Sequence, residues 1–190
     1  MHEEIMIAGF GGQGVLSMGL LLAYAGMFEN KHVSWIPSYG PEMRGGTANC
    51  LVAVADEAIS SPLFSEPTTL MVLNRPSLEK FERDLMPGGL LIMNSSLIDM
   101  EPKRRDIRIF KVPANTLARE RLGSEKVGNM ILLGAYLAFS DLVRENSVTQ
   151  ALVKVLPEHR HHLIPLNRQA IELGRELAGS GSRRVHRNAV

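Results

Sequence analysis

The chain has 190 residues, of which 45% are hydrophobic and 22% charged, and this composition is typical of one globular domain. Its single cysteine, Cys50, excludes an internal disulfide framework and a cysteine-ligated iron–sulfur cluster, and it favours a reducing, cytoplasmic setting. The net charge of +1 includes three arginines that follow Gly179, so no basic face for nucleic acid is expected. No secretory signal and no apolar run long enough to cross a membrane are expected either.

Apolar segments alternate between strand-like and helix-like lengths along the chain. Residues 5–8 predict a first buried strand that ends in glycine. The uncharged residues 15–28 predict a helix that is apolar around its whole circumference. Such a helix must be covered on both sides, so we expect the sheet on one side and a partner chain on the other. Further strands are predicted at residues 33–36, 51–55, 70–73, 90–93 and 107–112.

The remaining predicted elements are helices. Pro76 opens one of them, at a position where a missing N–H costs nothing. Further helices are predicted near Leu117 and over residues 127–143, 148–156 and 162–178. Because the strands are apolar on both faces, they predict a single three-layer α/β domain whose mostly parallel sheet carries helices on both faces. This domain should span residues 1–178, and the basic residues 179–190 should form a disordered tail.

A glycine-rich loop follows the first predicted strand and opens the first helix, as in Rossmann-like folds. Glycine permits positive φ and close approach of a ligand, and a helix N-terminus offers free N–H groups to an anion. The alternative is that the glycines only make a tight turn and let the helix sit close to the sheet. The candidate binding residues in this loop are Gly9, Gly11, Gly12, Gln13 and Gly14.

Two features expected of common nucleotide-binding loops are missing. A dinucleotide fold places an acid about twenty residues beyond the glycines, but the second predicted strand reads Val33-Ser34-Trp35-Ile36. No Gly-Lys-Ser/Thr follows the glycines, so a nucleoside triphosphatase is also disfavoured. The loop therefore favours some other anion.

A second glycine-rich segment follows the second predicted strand. In a parallel sheet it would leave the same edge as the first loop, where ligands bind in open α/β sheets. Arg44 beside two glycines could clamp an anion, whereas the alternative is a rigid surface loop in which Arg44 pairs with Glu42. The candidate binding residues in this segment are Ser38, Tyr39, Glu42, Arg44, Gly45 and Gly46.

Together the two motifs resemble one family. Ile7 to Val15, followed by Ser-Tyr-Gly-Pro-Glu-Met-Arg-Gly-Gly at 38–46, closely resembles the gamma subunit of 2-oxoacid:ferredoxin oxidoreductases. The stretch from Val112 to Ala135 is also similar, and the resemblance extends from Ile5 to about Ala178. The wording of the second motif is closer to the 2-oxoglutarate and branched-chain members than to the pyruvate members.

The resemblance implies a non-catalytic subunit of an enzyme that oxidatively decarboxylates a 2-oxoacid to an acyl-coenzyme A. It implies coenzyme A binding and subunit assembly for this domain, without covalent or metal cofactors of its own. Thiamine diphosphate and iron–sulfur clusters would belong to alpha and beta subunits, a ferredoxin-like delta subunit or ferredoxin. The alternative is a stand-alone nucleotide- or phosphate-binding regulatory domain.

The other candidate residues predict no catalysis. Cys50 lies in an apolar strand and predicts a buried structural thiol. His159, His161 and His162 are poorly spaced for one helical face, so a solvated helix start is favoured over a metal site. Asn129 is expected to cap or satisfy the helix that it precedes. No catalytic residue and no metal ligand is therefore predicted, and the isolated chain is expected to self-associate through its apolar helices.

Overall fold

The computed structural model describes residues 1–40 and 46–185, with side chains up to residue 179. Within these ranges, six strands form one sheet: β1 (His2–Phe10), β2 (His32–Tyr39), β3 (Thr47–Ala55), β4 (Thr69–Val72), β5 (Leu90–Asn94) and β6 (Arg108–Val112). The helices of the described residues are α1 (Val15–Phe28), α2 (Arg75–Phe81), α3 (Ala114–Leu122), α4 (Gly128–Leu137), α5 (Glu145–Val155) and α6 (Ile164–Val185). Short 3₁₀ turns occur at Glu82–Asp84, Glu125–Val127 and Glu158–Leu163.

The strand order across the sheet is β2-β3-β1-β4-β5-β6. Strands β1, β4, β5 and β6 pair in parallel, which confirms the predicted mostly parallel sheet. Strand β3 is the exception, because it pairs antiparallel to both β1 and β2. β2 therefore runs in the same direction as β1, and both strands end at the same edge of the sheet.

Helices cover both faces of the sheet, as predicted, but unequally. The larger hydrophobic cluster joins one face to α1, α3, α4, α5 and α6, whereas the smaller cluster joins the other face to α2. Helix α1 lies between the sheet and α5, so its own chain supplies part of the cover that we expected from a partner. The rest of its outer side remains open, with Met27 58% exposed and Phe28 40% exposed.

The two longest predicted helices have different bounds in the structure. The helix predicted over 127–143 begins at Gly128 and ends at Leu137, where the N–H groups of Ala138 and Phe139 donate to the carbonyls three residues before them, at 3.2 and 2.9 Å. Its residues from Met130 to Leu137 are buried, so α4 is core and not the partner-facing patch that we expected.

Helix α6 extends beyond residue 178, where the domain was predicted to end. It continues to Val185 without a break, so residues 179–185 of the predicted disordered tail are helical. Extending an existing helix costs much less than starting one, which lets a glycine- and serine-rich end remain helical. Residues 186–190 lie outside the described residues. No described helix is both long and apolar enough to cross a membrane.

Helices α4 and α6 cross with their backbones in contact. A Cβ placed on Gly134 would lie 1.9 Å from the Ile171 carbonyl oxygen, and a Cβ on Gly174 would lie 1.9 Å from that of Ile131. No side chain fits between these helices, so glycine is required at both positions. Helix α4 is also tied to the start of β1, because buried Tyr136 donates a hydrogen bond to Glu3 at 2.6 Å.

Candidate functional site

A cleft of about 700 Å³ lies at the carboxyl edge of the sheet, between the N-terminus of α1 and the hairpin of β2 and β3. The glycine loop and the first turn of α1 form one side, and the ends of β2 and β3 form the other. Its lining residues are Phe10, Gly11, Gly12, Gly14, Val15, Leu16, Ser17, Trp35, Pro37, Tyr39, Gly46, Thr47, Ala48 and Arg160.

Two glycines give the first loop its shape. Gly12 has φ of +97° and Gly14 has φ of +79°, a left-handed conformation that other residues rarely adopt. A Cβ on Gly12 would meet no atom within 4 Å, so this position is open to the cleft. Gly9 has a packing role instead, because a Cβ there would lie 2.7 Å from Gln13 Oε1 and 2.9 Å from Val15. Both readings of the loop therefore find support, each at different glycines.

A backbone hydrogen bond joins the two loops. Gly11 N–H donates to the Gly46 carbonyl at 2.9 Å, which confirms the prediction that both loops meet at one edge of the sheet. Two N–H groups of the glycine loop are thus not available to a ligand, because Gly11 N–H binds the Gly46 carbonyl and Gln13 N–H donates to Phe10 O at 3.1 Å. Within the described residues, the N–H groups of Gly12 and Gly14 have no acceptor, and helical bonding begins only with Met18 N–H, which donates to the Gly14 carbonyl at 3.0 Å.

The Gln13 side chain turns into the protein and not toward the cleft. Its Oε1 accepts hydrogen bonds from Phe10 N at 2.7 Å and from Asn74 Nδ2 at 3.3 Å, and its Nε2 donates to Leu73 O at 3.3 Å. Gln13 thus fastens the glycine loop to the end of β4. Gln13 was predicted to bind the ligand, but in the structure its side chain supports the loop.

The second motif is only partly described. Tyr39 lines the cleft and is 60% exposed, and Gly46 lines it from the start of β3. Ser38 is exposed but does not line the cleft, since successive side chains of a strand point to opposite faces. The predicted binding residues Glu42, Arg44 and Gly45 lie outside the described residues.

The chemistry of the cleft combines an apolar wall with anion-binding groups. Phe10, Trp35 and Pro37 supply apolar surface, while the free N–H groups lie at the positive end of the α1 dipole. Arg160 is the only charged side chain and no acid is present, among the described lining residues. The sequence did not single out Arg160, because it lies more than 140 residues from the glycine loop and only tertiary packing brings the two together.

Beneath the cleft the packing is tight, since a Cβ on Gly19 would lie 2.5 Å from Cys50 Sγ. Cys50 is fully buried, and burial raises the pKa of its thiol to about 12, against a smaller opposing effect of the neighbouring Trp35 indole. This confirms a buried thiol and gives no reactive thiolate. His161 Nε2 lies 2.9 Å from the Leu156 carbonyl, and no cluster of metal ligands occurs in the described ranges.

Asn129 packs against the glycine loop and does not cap α4. Its Nδ2 lies 2.2 Å from the position that a Cβ on Gly14 would occupy, whereas the N-cap position of α4 is Val127. Gly14 is therefore fixed as glycine both by its φ and by this contact.

The chain is similar to a protein family and to curated subunits of known enzymes. Residues 4–177 match the family described as pyruvate ferredoxin/flavodoxin oxidoreductase. The ketoisovalerate oxidoreductase subunit VorA of Methanothermobacter marburgensis is 36% identical over 92% of this chain, but the chain spans only 36% of that relative. The 2-oxoglutarate synthase subunit KorC of Methanothermobacter thermautotrophicus is 32% identical over 96% of this chain and 98% of its own length.

Two solved structures have the same fold. The gamma subunit of a keto/oxoacid ferredoxin oxidoreductase from Geobacter sulfurreducens is 29% identical with a TM-score of 0.79, over 93% of this chain and 98% of that chain. The 2-oxoglutarate:ferredoxin oxidoreductase of Magnetococcus marinus, solved with 2-oxoglutarate, coenzyme A and succinyl-CoA, has a TM-score of 0.83 at 23% identity. This similarity covers 94% of the present chain but only 31% of the Magnetococcus marinus chain. The predicted family is confirmed: this chain belongs to the pyruvate ferredoxin/flavodoxin oxidoreductase family.

Proposed function

We propose that this chain is a gamma-type subunit of a 2-oxoacid:ferredoxin oxidoreductase and that its cleft binds a phosphate of coenzyme A. The observation that carries the proposal is the junction of the two loops at one cleft. There, the cleft is lined by Gly12 and Gly14, whose N–H groups have no described acceptor, and by Arg160, while none of its described lining residues is acidic. Such a site suits an anion that also carries an apolar body.

The relatives support an oxidative decarboxylation of a 2-oxoacid to an acyl-coenzyme A. The similar proteins are named as subunits of ketoisovalerate and 2-oxoglutarate enzymes, and one solved enzyme of the same fold holds coenzyme A and succinyl-CoA. The subunit common to pyruvate and ketoisovalerate enzymes of Thermococcus litoralis is 30% identical over a shorter part of this chain. We therefore favour 2-oxoglutarate or a branched-chain 2-oxoacid as the substrate of the complex.

In this proposal the chain binds coenzyme A and takes part in the assembly of the complex, while other subunits perform the chemistry. The sequence has no thiamine-binding Gly-Asp-Gly motif, and its one cysteine cannot hold an iron–sulfur cluster. Thiamine diphosphate would therefore sit on alpha and beta subunits, and electrons would pass through clusters of a partner to ferredoxin. The complex would work in the cytoplasm.

Arg44 provides the first test of the site. In the assembled enzyme, Arg44→Ala should raise the KM for coenzyme A, equivalent to about 1.5–3 kcal/mol for the loss of a charged hydrogen bond. Arg121→Ala is the matched control, because Arg121 is an exposed arginine at the end of α3. An unchanged coenzyme A dependence in Arg44→Ala would make this loop an interface element.

Copurification tests the membership of a complex. Expressed in its native host, the chain should copurify with thiamine-dependent subunits, and alone it should show no 2-oxoacid oxidation with ferredoxin or a viologen dye. Turnover by the pure chain would contradict the proposal. A chain that binds coenzyme A but copurifies with no such subunit would instead be a stand-alone nucleotide-binding domain.

A further inference from the structure

A cation reaches the cleft from a segment that is distant in the sequence. Arg160 is an exposed residue of the 3₁₀ turn that joins α5 to α6, and it lines the cleft together with the glycine loop. We propose that Arg160 binds a phosphate group of the ligand, opposite the free N–H groups of Gly12 and Gly14. This inference rests on the function proposed above and adds to it a binding residue outside both sequence motifs.

The backbone around Arg160 is fixed, while its guanidinium is unused. Arg160 N–H donates to the Pro157 carbonyl at 2.8 Å, and the His161 ring lies at hydrogen-bond distance from the Leu156 carbonyl. Leu156 packs partly buried against the main core, so the turn is anchored to the body of the domain. The guanidinium itself makes no ion pair or hydrogen bond with any residue that the structure describes.

An arginine held in this way is available for an anion. Its planar fork matches phosphate oxygens with two parallel hydrogen bonds, which a lysine ammonium cannot reproduce. Because none of the described residues that line the cleft is acidic, no described carboxylate there competes for the guanidinium. The Arg160 cation and the positive end of the α1 dipole together favour a negatively charged ligand.

The walls of the cleft show what else the ligand carries. Phe10, Trp35, Pro37 and Tyr39 line the space next to these anion-binding groups. Inorganic phosphate would leave this apolar surface in water, whereas a nucleotide coenzyme can place its ring or its apolar arm against it. Phosphates and an apolar body within one molecule are the chemistry of coenzyme A.

The experiment compares arginine variants in the assembled enzyme. The KM for coenzyme A is measured at low and high salt for Arg160→Ala, Arg160→Lys and the control Arg168→Ala, whose side chain is exposed on α6 and does not line the cleft. We expect an increase of about tenfold for Arg160→Ala, a smaller one for Arg160→Lys and none for Arg168→Ala. The KM of Arg160→Ala should also rise less with salt, because one charged contact is missing.

Adding Gly12→Ala to the series separates the inference from the proposed function. If Gly12→Ala raises the KM for coenzyme A and Arg160→Ala does not, the inference is wrong and the proposed function stands. If neither variant changes this KM, both fail. If Arg160→Ala raises the KM for the 2-oxoacid equally, or lowers the yield of assembled enzyme, the residue serves assembly and the inference is overturned.

Discussion

Glycine serves opposite purposes in two regions of this molecule. At the crossing of α4 and α6, Gly134 and Gly174 remove side chains so that two backbones can touch. In the loop before α1, Gly12 has a left-handed φ and faces open space. The first region needs glycine for packing, while the second needs it for backbone shape and leaves room beside the chain. Folding and ligand binding should therefore respond separately to substitutions in the two regions.

The largest expected effect is at the helix crossing. Gly134→Ala should lower the free energy of unfolding by about 3 kcal/mol, because the new methyl group meets the Ile171 backbone and neither helix can move without disturbing the core. Urea denaturation measures this loss. Gly179→Ala is the matched control, since a Cβ there meets nothing within 4 Å and alanine should stabilise α6 by about 0.5–1 kcal/mol. Equal effects of the two changes would disprove the packing account.

The next effect is a pH dependence of stability that comes from the buried Cys50 thiol beneath the cleft. The thiol pKa of Cys50 is raised from 9.0 to about 12 in the folded protein, so the neutral thiol stabilises the fold fully below pH 9 and loses this contribution as pH rises toward 12. Between pH 8 and 10.5 the unmodified protein should lose about 2 kcal/mol more stability than Cys50→Ala. Parallel pH profiles of the two proteins in urea unfolding would show that the thiol is not desolvated.

A smaller effect on folding is expected in the glycine loop. Gly12→Ala forces a left-handed φ on alanine and should cost about 1 kcal/mol of stability, less than Gly134→Ala. Gly12→Ala should nevertheless raise the KM for coenzyme A more than Gly134→Ala does, because a methyl group at Gly12 enters the open side of the cleft. The measurement is a urea unfolding curve and a KM for coenzyme A on the same two variants. A Gly12→Ala enzyme with normal coenzyme A dependence would assign the loop to turn formation alone.

The smallest effect is expected on the outer side of α1. Exposed Met27 and Phe28 predict that the isolated chain self-associates at high concentration, and Met27→Lys should shift it toward the monomer. Leu63→Lys is the control, because Leu63 is 64% exposed in a separate loop. Light scattering measures the molecular mass of each variant, which should fall toward that of the monomer for Met27→Lys and not for Leu63→Lys. A clean monomer of the unmodified chain at high concentration would contradict the prediction.

Most of the fold could be predicted from local sequence signals. Apolar strands that end in glycine or proline identified the sheet, the motif from Gly9 to Gly14 identified its first turn, and this motif together with residues 38–46 identified the family. The direction of β3 was missed, because the predicted strands left a long gap between residues 36 and 51. In the structure β2 ends at Tyr39 and β3 begins at Thr47, and a connection of seven residues is too short for a parallel crossover.

Side-chain roles at the site were less predictable. Gln13 stands within the motif, yet its partners Leu73 and Asn74 lie 60 and 61 residues away, so the sequence could not show that it turns inward. Arg160 lies outside every motif and reaches the cleft only because α5 packs on α1. Local chemistry thus indicated where a ligand site would form, while tertiary packing decided which side chains face it.

The proposed site is tested most directly by a structure of the assembled enzyme with coenzyme A bound. We expect a phosphate oxygen within about 2.7–3.2 Å of the backbone nitrogen of Gly12 or Gly14, with the Arg160 guanidinium on the same ligand. A cleft filled by a partner subunit, with coenzyme A bound elsewhere in the complex, would contradict the proposal.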